Sequence, residues 1–245
     1  MALVDPVPGA PAAVADLGGA SALVVADYHA GIERSLRREG LEAPSRAEER
    51  RNRVLSLVVQ TGVERVVFLG DLGHRIGDPE GAELDELEAL VAELPVPAAL
   101  VRGNHDGGVA DAFDIDVTPA DGARFGDVGF CHGHTWPSED VLRADVVCVG
   151  HEHPAVRLED DVGGARVERV WLRGPLAPDP FEAHADGPLA IDGELVVCPA
   201  FNDYSGGTWV NVEGQGFLSP FLPDAAPDAQ AYLLDGTRLG PYGAL

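Results

Sequence analysis

Gly103-Asn104-His105-Asp106 follows the apolar run Pro97 to Val101, so these four residues read as a loop leaving the C-terminal end of a buried strand. In open α/β sheets such ends carry the chemistry. Asn104 offers a neutral oxygen ligand, His105 an imidazole that exchanges a proton near neutral pH, and Asp106 a carboxylate able to orient that imidazole. Alone the tetrapeptide decides little. Its weight comes from four other segments that end an apolar run in Asp or His, together the ligand inventory of a two-metal site.

Upstream, Arg65 to Leu69 reads as a second buried strand ending in Gly70-Asp71-Leu72-Gly73-His74, and Ala22 to Ala26 as a third ending in Asp27-Tyr28-His29. Helical patterns separate these strands. Ser45, with Glu48 three residues on, is expected to cap one helix and Thr61-Gly62 to close it. Val54, Leu55, Val58 and Val59 make its apolar face; Arg46, Arg50 and Arg53 make another, open to phosphate but read first as a solvated, ion-paired surface. Gly81 to Leu94 gives a further amphipathic helix, stopped by Pro95 and Pro97. Strands and helices alternating at this spacing imply parallel β-α-β units with right-handed crossovers.

Downstream, Val128 to Cys131 leads into His132-Gly133-His134, and Val146 to Val149 into Gly150-His151-Glu152-His153. One short helix is expected around Ser138 to Leu142. Past Pro154 the pattern predicts antiparallel strands at Ala155 to Glu159, Val167 to Arg173 and Leu195 to Cys198, with Gly163-Gly164 and Asp192-Gly193 as hairpin turns, and a last strand at Ala231 to Leu234. This places a second sheet against the first. Residues 200–245, rich in Gly, Pro and Asp, are expected to extend that sheet or cap it.

The 245 residues show no linker, so a single domain over 1–245 is expected. No run approaches the length of a membrane span, and the first twenty residues lack a basic start followed by an apolar core. A soluble, cytoplasmic protein is the expectation. Cys131, Cys148 and Cys198 lie in apolar runs, which suits buried core residues better than disulfides. Acidic residues number 41 against 17 basic ones, all of them Arg, for a net charge of −24. That balance resembles haloarchaeal proteins and predicts a fold that needs concentrated salt. In dilute buffer it would repel nucleic acid, but multimolar salt shrinks the Debye length to about 3 Å or less, so only a local cation need face the substrate.

In order, D-x-H at 27–29, G-D at 70–71, G-N-H-D at 103–106, H-G-H at 132–134 and G-H-x-H at 150–153 resemble the calcineurin-like metallophosphoesterase superfamily. The resemblance implies an α/β fold, an αββα sandwich of two mixed sheets flanked by helices. It also implies a hydrolase in which two divalent cations offset the charge of a phosphodiester and activate water. On this resemblance Asp27, His29 and His153 bind the first metal, Asn104, His132 and His151 the second, and Asp71 bridges them. His105 is then the catalytic histidine that protonates the leaving oxygen, oriented by Asp106. Such a donor set suits Mn²⁺ first, and Fe or Zn²⁺, better than Ca²⁺.

Gly70 to His74, the His-Gly-His-Thr-Trp-Pro run at 132–137 and Pro-Ala-Phe-Asn at 199–202 look like the archaeal and bacterial branch that includes DNA-ligase-associated phosphoesterases. DNA is thereby a candidate substrate and DNA-repair proteins are candidate partners. The pattern departs from G-D-x-x-D-R-G and G-N-H-E of protein phosphatases, which argues against phosphoproteins. A small-molecule phosphomonoesterase, a cyclic-nucleotide phosphodiesterase and a non-catalytic scaffold of the same fold stand as rivals. His74 and His134 read as phosphate ligands, as supports or as plain loop residues. Trp136 reads as a base-stacking or a rim residue. Arg34, Arg37, Arg38, Arg75 and Arg102 lie near the motifs in sequence, where they could clamp flanking phosphates.

Overall fold

Side chains alternate along a strand, and here the alternation sets the layers. In the computed structural model, which describes residues 2–159 and 163–245, the first sheet runs β1 (Val4–Pro6), β2 (Ala12–Asp16), β3 (Ser21–Ala26), β4 (Arg65–Leu69), β5 (Ala98–Val101) and β6 (Asp116–Thr118) in spatial order. The strands from β3 to β6 are parallel, and β1 and β2 add an antiparallel edge that the sequence pattern did not single out. β3 sends Leu23 and Val25 outward, where they pack with Val54, Leu57 and Val58 of α2 (Ala47–Thr61) and with Leu87 and Leu90 of α3 (Ala82–Glu93). Its inward residues Ala22, Val24 and Ala26 meet Val128, Phe130, Cys148 and Val196 of the second sheet. A helix layer thus covers one face and a sheet the other.

The second sheet runs β14 (Arg238–Pro241), β13 (Gln230–Leu233), β11 (Ala165–Pro175), β12 (Glu194–Val197), β9 (Val146–Val149), β8 (Val128–Cys131) and β7 (Ala123–Phe125), with β10 (Ala155–Glu159) paired to β11. β8, β9 and β12 are mutually parallel; the other pairings are antiparallel. Its outer face packs on α5 (Glu139–Leu142), on Phe181 of α6 (Asp179–Ala185) and on Phe221 and Ala225 from the C-terminal segment. The result is two mixed sheets flanked by helices.

Several local expectations shift. α2 opens with Arg46, not Ser45, as its N-cap, because Glu33 of α1 (Ile32–Arg38) takes the Arg46 N–H at 3.0 Å. Its buried stripe is Arg50, Val54, Leu57 and Val58, while Val59 is 78% exposed. The helix turns to bury Arg50, which has two carboxylate partners inside. Asp192-Gly193 is not a hairpin turn, since α6 lies in the β11–β12 connection and β12 pairs parallel with β9. The Gly163-Gly164 connection does join antiparallel β10 and β11, although residues 160–162 lie outside the described residues. α4 (Val109–Ala112) and α6 are too short to have left a helical period. Among the described residues the three cysteines are buried and free, and no helix is long and apolar enough to cross a membrane.

Candidate metal centre

The C-terminal ends of β3, β4, β5, β8 and β9 converge, bringing the strand-end residues from the two sheets together. Asp27, His29 and His153 form one group and Asp71, His132 and His151 another, the ligand atoms within each lying within 4.8 Å of one another. Asp71 joins the two: its Oδ2 is 3.8 Å from His29 Nε2 and its Oδ1 3.4 Å from His132 Nε2. Asn104 Oδ1 lies 3.2 Å from the same His132 nitrogen.

The backbone here is held where side-chain-bearing residues rarely go. Among the described residues six non-glycines have positive φ, and five are candidate ligands: Asp27 (55°), His29 (48°), Asp71 (49°), His151 (68°) and His153 (45°). Each such residue costs on the order of 1–3 kcal/mol and persists only where its surroundings over-determine it. Two glycines permit the approach. A Cβ on Gly70 would sit 2.1 Å from His132 Nδ1, and one on Gly103 would sit 2.2 Å from Asp71 Oδ1.

Hydrogen bonds behind the rings fix which nitrogen faces inward. His132 Nδ1–H donates to Leu69 O at 3.0 Å and His153 Nδ1–H to Gly206 O at 2.7 Å, leaving both Nε2 atoms to the centre. His29 Nε2 then faces His153 Nε2 at 3.4 Å, nitrogen against nitrogen. Burial holds His29 down to about 3 and His151 to about 4, so both rings are neutral. Burial pushes the Asp71 carboxyl up, but His132, His29 and His105 outweigh it and hold it well below the usual carboxylate range. Asp27 is likewise lowered, burial being outweighed by His153, His132 and His29. Burial opposes a charge on His132, yet Asp71 and Asp27 lift it to about 9. Ionised carboxylates, neutral His29 and His151 rings and a demand for positive charge between them fit a divalent cation.

His105 stands apart from this ligand set. Its Nδ1–H donates to His74 O, and its Nε2 lies 3.8 Å from Asp71 Oδ2, with the side chain 23% exposed. Asp106 does not orient it. The Asp106 carboxylate is fully buried and accepts N–H bonds from Asp71, Leu72, Gly73 and Gly103, so it ties the second and third motif loops together. The carbonyl that orients His105 belongs to a loop residue no side-chain pattern could have named.

A family model of the calcineurin-like phosphoesterase superfamily domain matches residues 21–172, a span that holds all seven candidate ligands, His105 and Asp106. The chain belongs to that superfamily. This calcineurin-like phosphoesterase is thus a metal-dependent phosphoric ester hydrolase. Among solved structures it is similar to the Pseudomonas putida nuclease MPE, at 20% identity and a TM-score of 0.54, covering 96% of this chain and 100% of that one. The E. coli phosphoesterase Yfce shares 25% identity over 57% of this chain and 73% of that one, with a TM-score of only 0.35. No curated protein matches the chain.

Two supports of the phosphoesterase centre, Asn202 and Glu152, escaped the sequence reading, and His74 takes the supporting place that was one of its alternatives. Asn202, almost wholly buried, donates from Nδ2 to Tyr28 O and His29 O at 2.9 and 3.1 Å, bracing the first motif loop. Glu152, the x of G-H-x-H, accepts from Thr208 Oγ1 and from the N–H groups of Leu218 and Ser219, anchoring the segment that supplies Gly206 O. His74 Nδ1 lies 3.3 Å from His29 Nδ1, and its ring stacks on His105. The Pro-Ala-Phe-Asn run was the available signal for Asn202; Glu152 carried none beyond its place in a motif. Trp136 stacks its ring on His184 at 4.1 Å and is edged by Phe181. His134 keeps a buried Nδ1 without a protein partner among the described residues.

Proposed function

We propose that this chain, as one phosphoesterase domain over 1–245, hydrolyses phosphodiesters with a pair of divalent cations. Asp27, His29 and His153 would hold one, Asn104, His132 and His151 the other, and Asp71 both. The carrying observation is the Asp71 carboxylate, which turns one oxygen to each group. Bound there, two cations neutralise the anionic ester oxygens and lower the pKa of water. Mn²⁺ suits the mixed imidazole, carboxylate and amide donors, as do Fe and Zn²⁺.

The remaining work falls to protein groups. Leu69 O and Gly206 O hold the His132 and His153 rings in the tautomer that presents Nε2. Asp106 fixes the loops that carry Asp71 and Asn104 relative to each other. His105, held by His74 O at Nδ1, has Nε2 free at the open side of the centre and delivers its proton to the leaving oxygen.

A nucleic-acid phosphodiester is the substrate that the motifs at 70–74, 132–137 and 199–202 favour, with a cytoplasmic role beside DNA-repair proteins. With a net charge of −24, contact with DNA is confined to a short span around the metals. Ends, nicks, flaps and single strands should be cut before continuous duplex. Mn²⁺-loaded protein in concentrated KCl, incubated with labelled single-stranded, nicked and duplex DNA beside phosphomonoesters and cyclic nucleotides, tests this. Cleavage of single-stranded or nicked DNA, abolished by chelator and restored by Mn²⁺, supports the reading. Turnover of a small ester without cleavage of any polynucleotide would discard DNA and leave a small-molecule esterase.

A further inference from the structure

Beyond His105 the centre opens into a cavity of about 280 Å³ whose wall carries Arg34, Arg38 and Arg75 together with His74, His105 and Glu83. Three arginines thus line one cavity in a chain with 41 acidic residues. Their charge is only partly cancelled. Arg34 and Arg75 share a single oxygen of Glu80, whose side chain is 53% exposed. Arg38 has no carboxylate partner among the described residues. Glu83 adds one carboxylate to the wall but forms no ion pair with them among the described residues, its Oε1 accepting the N–H groups of His74 and Arg75 at 2.7 and 2.9 Å.

The structure also sorts the arginines that sequence placed near the motifs. Arg37 donates to Ala43 O at 2.8 Å, and neither it nor Arg102 lines this cavity. Guanidinium forks are matched to phosphate oxygens, which they bind through paired N–H donors.

We infer that this cavity is a subsite for a second phosphate, on the leaving-group side of the scissile ester. The inference rests on the phosphodiesterase reading, in which His105 protonates the leaving oxygen. His105 forms part of the cavity wall, so whatever departs with that oxygen occupies the cavity. The favoured substrate therefore carries a phosphate on its leaving portion, as a nucleotide chain does. A cyclic nucleotide or a simple monoester leaves the three arginines unused.

Titration calorimetry with thymidine 3′,5′-bisphosphate, against thymidine 3′- and 5′-monophosphate at fixed KCl, tests the subsite directly, with and without Mn²⁺. The bisphosphate should bind at least about tenfold tighter than either monophosphate, and Arg38→Gln with Arg75→Gln should erase that preference. Glu80→Gln should act in the opposite direction, raising bisphosphate affinity by about two- to threefold, since it frees Arg34 and Arg75. Fructose 1,6-bisphosphate in the same titration separates a nucleotide chain, for which it binds more weakly, from any bisphosphate, for which it binds equally. Equal affinity of wild type for bis- and monophosphate, or a preference that survives the double substitution, overturns the subsite. Hydrolysis of bis-p-nitrophenyl phosphate is scored separately: its absence from Mn²⁺-loaded protein defeats the phosphodiesterase reading, whatever the calorimetry gives.

Discussion

Two buried polar clusters share the tripeptide Asp27-Tyr28-His29 and sit on opposite sides of it. Tyr28 lies under the Arg50 guanidinium, 5.3 Å from ring to carbon, while Asp27 and His29 turn to the metal centre. In the Arg50 cluster the buried Tyr28 hydroxyl has no partner among the described residues, while the guanidinium finds its partners within the protein. Its Nε and Nη2 donate to the two oxygens of Glu86 at 2.8 Å and its Nη1 to Glu33 at 3.2 Å, and the carboxylates also accept N–H groups of Gly31 and Arg46. The metal centre sets nitrogen against nitrogen, at 3.4 Å between His29 and His153 and 3.3 Å between His29 and His74, on a backbone with five left-handed non-glycine residues. A buried guanidinium whose nitrogens all meet carboxylates needs no further ligand. A cluster that crowds four histidines and two carboxylates onto strained backbone is built to hold a cation.

The largest way to break this contrast is Asp71→Asn. The substitution weakens the link between both groups, so turnover of bis-p-nitrophenyl phosphate should fall by more than the roughly 10²-fold that losing an outer partner costs, and metal content should drop. Two tightly held metals in that variant would remove the bridging role. Next, His105→Ala should keep its metals and lose about 10²–10⁴-fold in rate, less for p-nitrophenol as leaving group, which needs no proton. Metal loss there would make His105 a ligand.

The Arg50 side predicts a different kind of damage. Arg50→Met leaves two buried carboxylates uncompensated and should cost about 3–5 kcal/mol of stability, read by denaturant unfolding, with the metal content per folded chain unchanged. Its pH dependence follows from the two acids. Burial pushes Glu33 up, but the Arg46 N–H and Arg50 outweigh it, so its folded pKa lies below the ordinary 4.5. The stability it contributes is present above that value and lost as pH falls through the folded pKa. Glu86 is raised, burial outweighing Arg50, so its contribution is present below 4.5 and lost as pH rises through its folded pKa. Without Arg50 both acids prefer their protons more strongly. The deficit of the variant should therefore be widest near pH 7 and narrow toward about pH 4. A deficit independent of pH would mean that packing, not charge, holds this cluster. The smallest effect is expected from Asn202→Ala, about 1–3 kcal/mol for the unpaired carbonyls of Tyr28 and His29, accompanied by weaker metal binding. Unchanged metal affinity would show that the first loop holds its strained form unaided.

The same contrast explains what the sequence disclosed. Strand ends followed by Asp, Asn or His are local patterns, so the parallel strands and the strand-end histidines were legible residue by residue. The Arg50 cluster was not, since arginines three and four apart on a helix read as a solvated face until Glu33 and Glu86 arrive from two other helices. Asp106 misled for a related reason: a carboxylate next to a histidine suggests a pair, but four backbone N–H groups from two loops claim it first. The carbonyls of Leu69, His74 and Gly206 that set ring orientation carry no side-chain signal at all.

The account stands most directly on a count. Chelator-stripped protein in concentrated KCl, titrated with Mn²⁺ by calorimetry and checked by elemental analysis, should take up two ions per chain in wild type and in Arg50→Met. One ion or none per folded wild-type chain would contradict a two-cation centre built on Asp71.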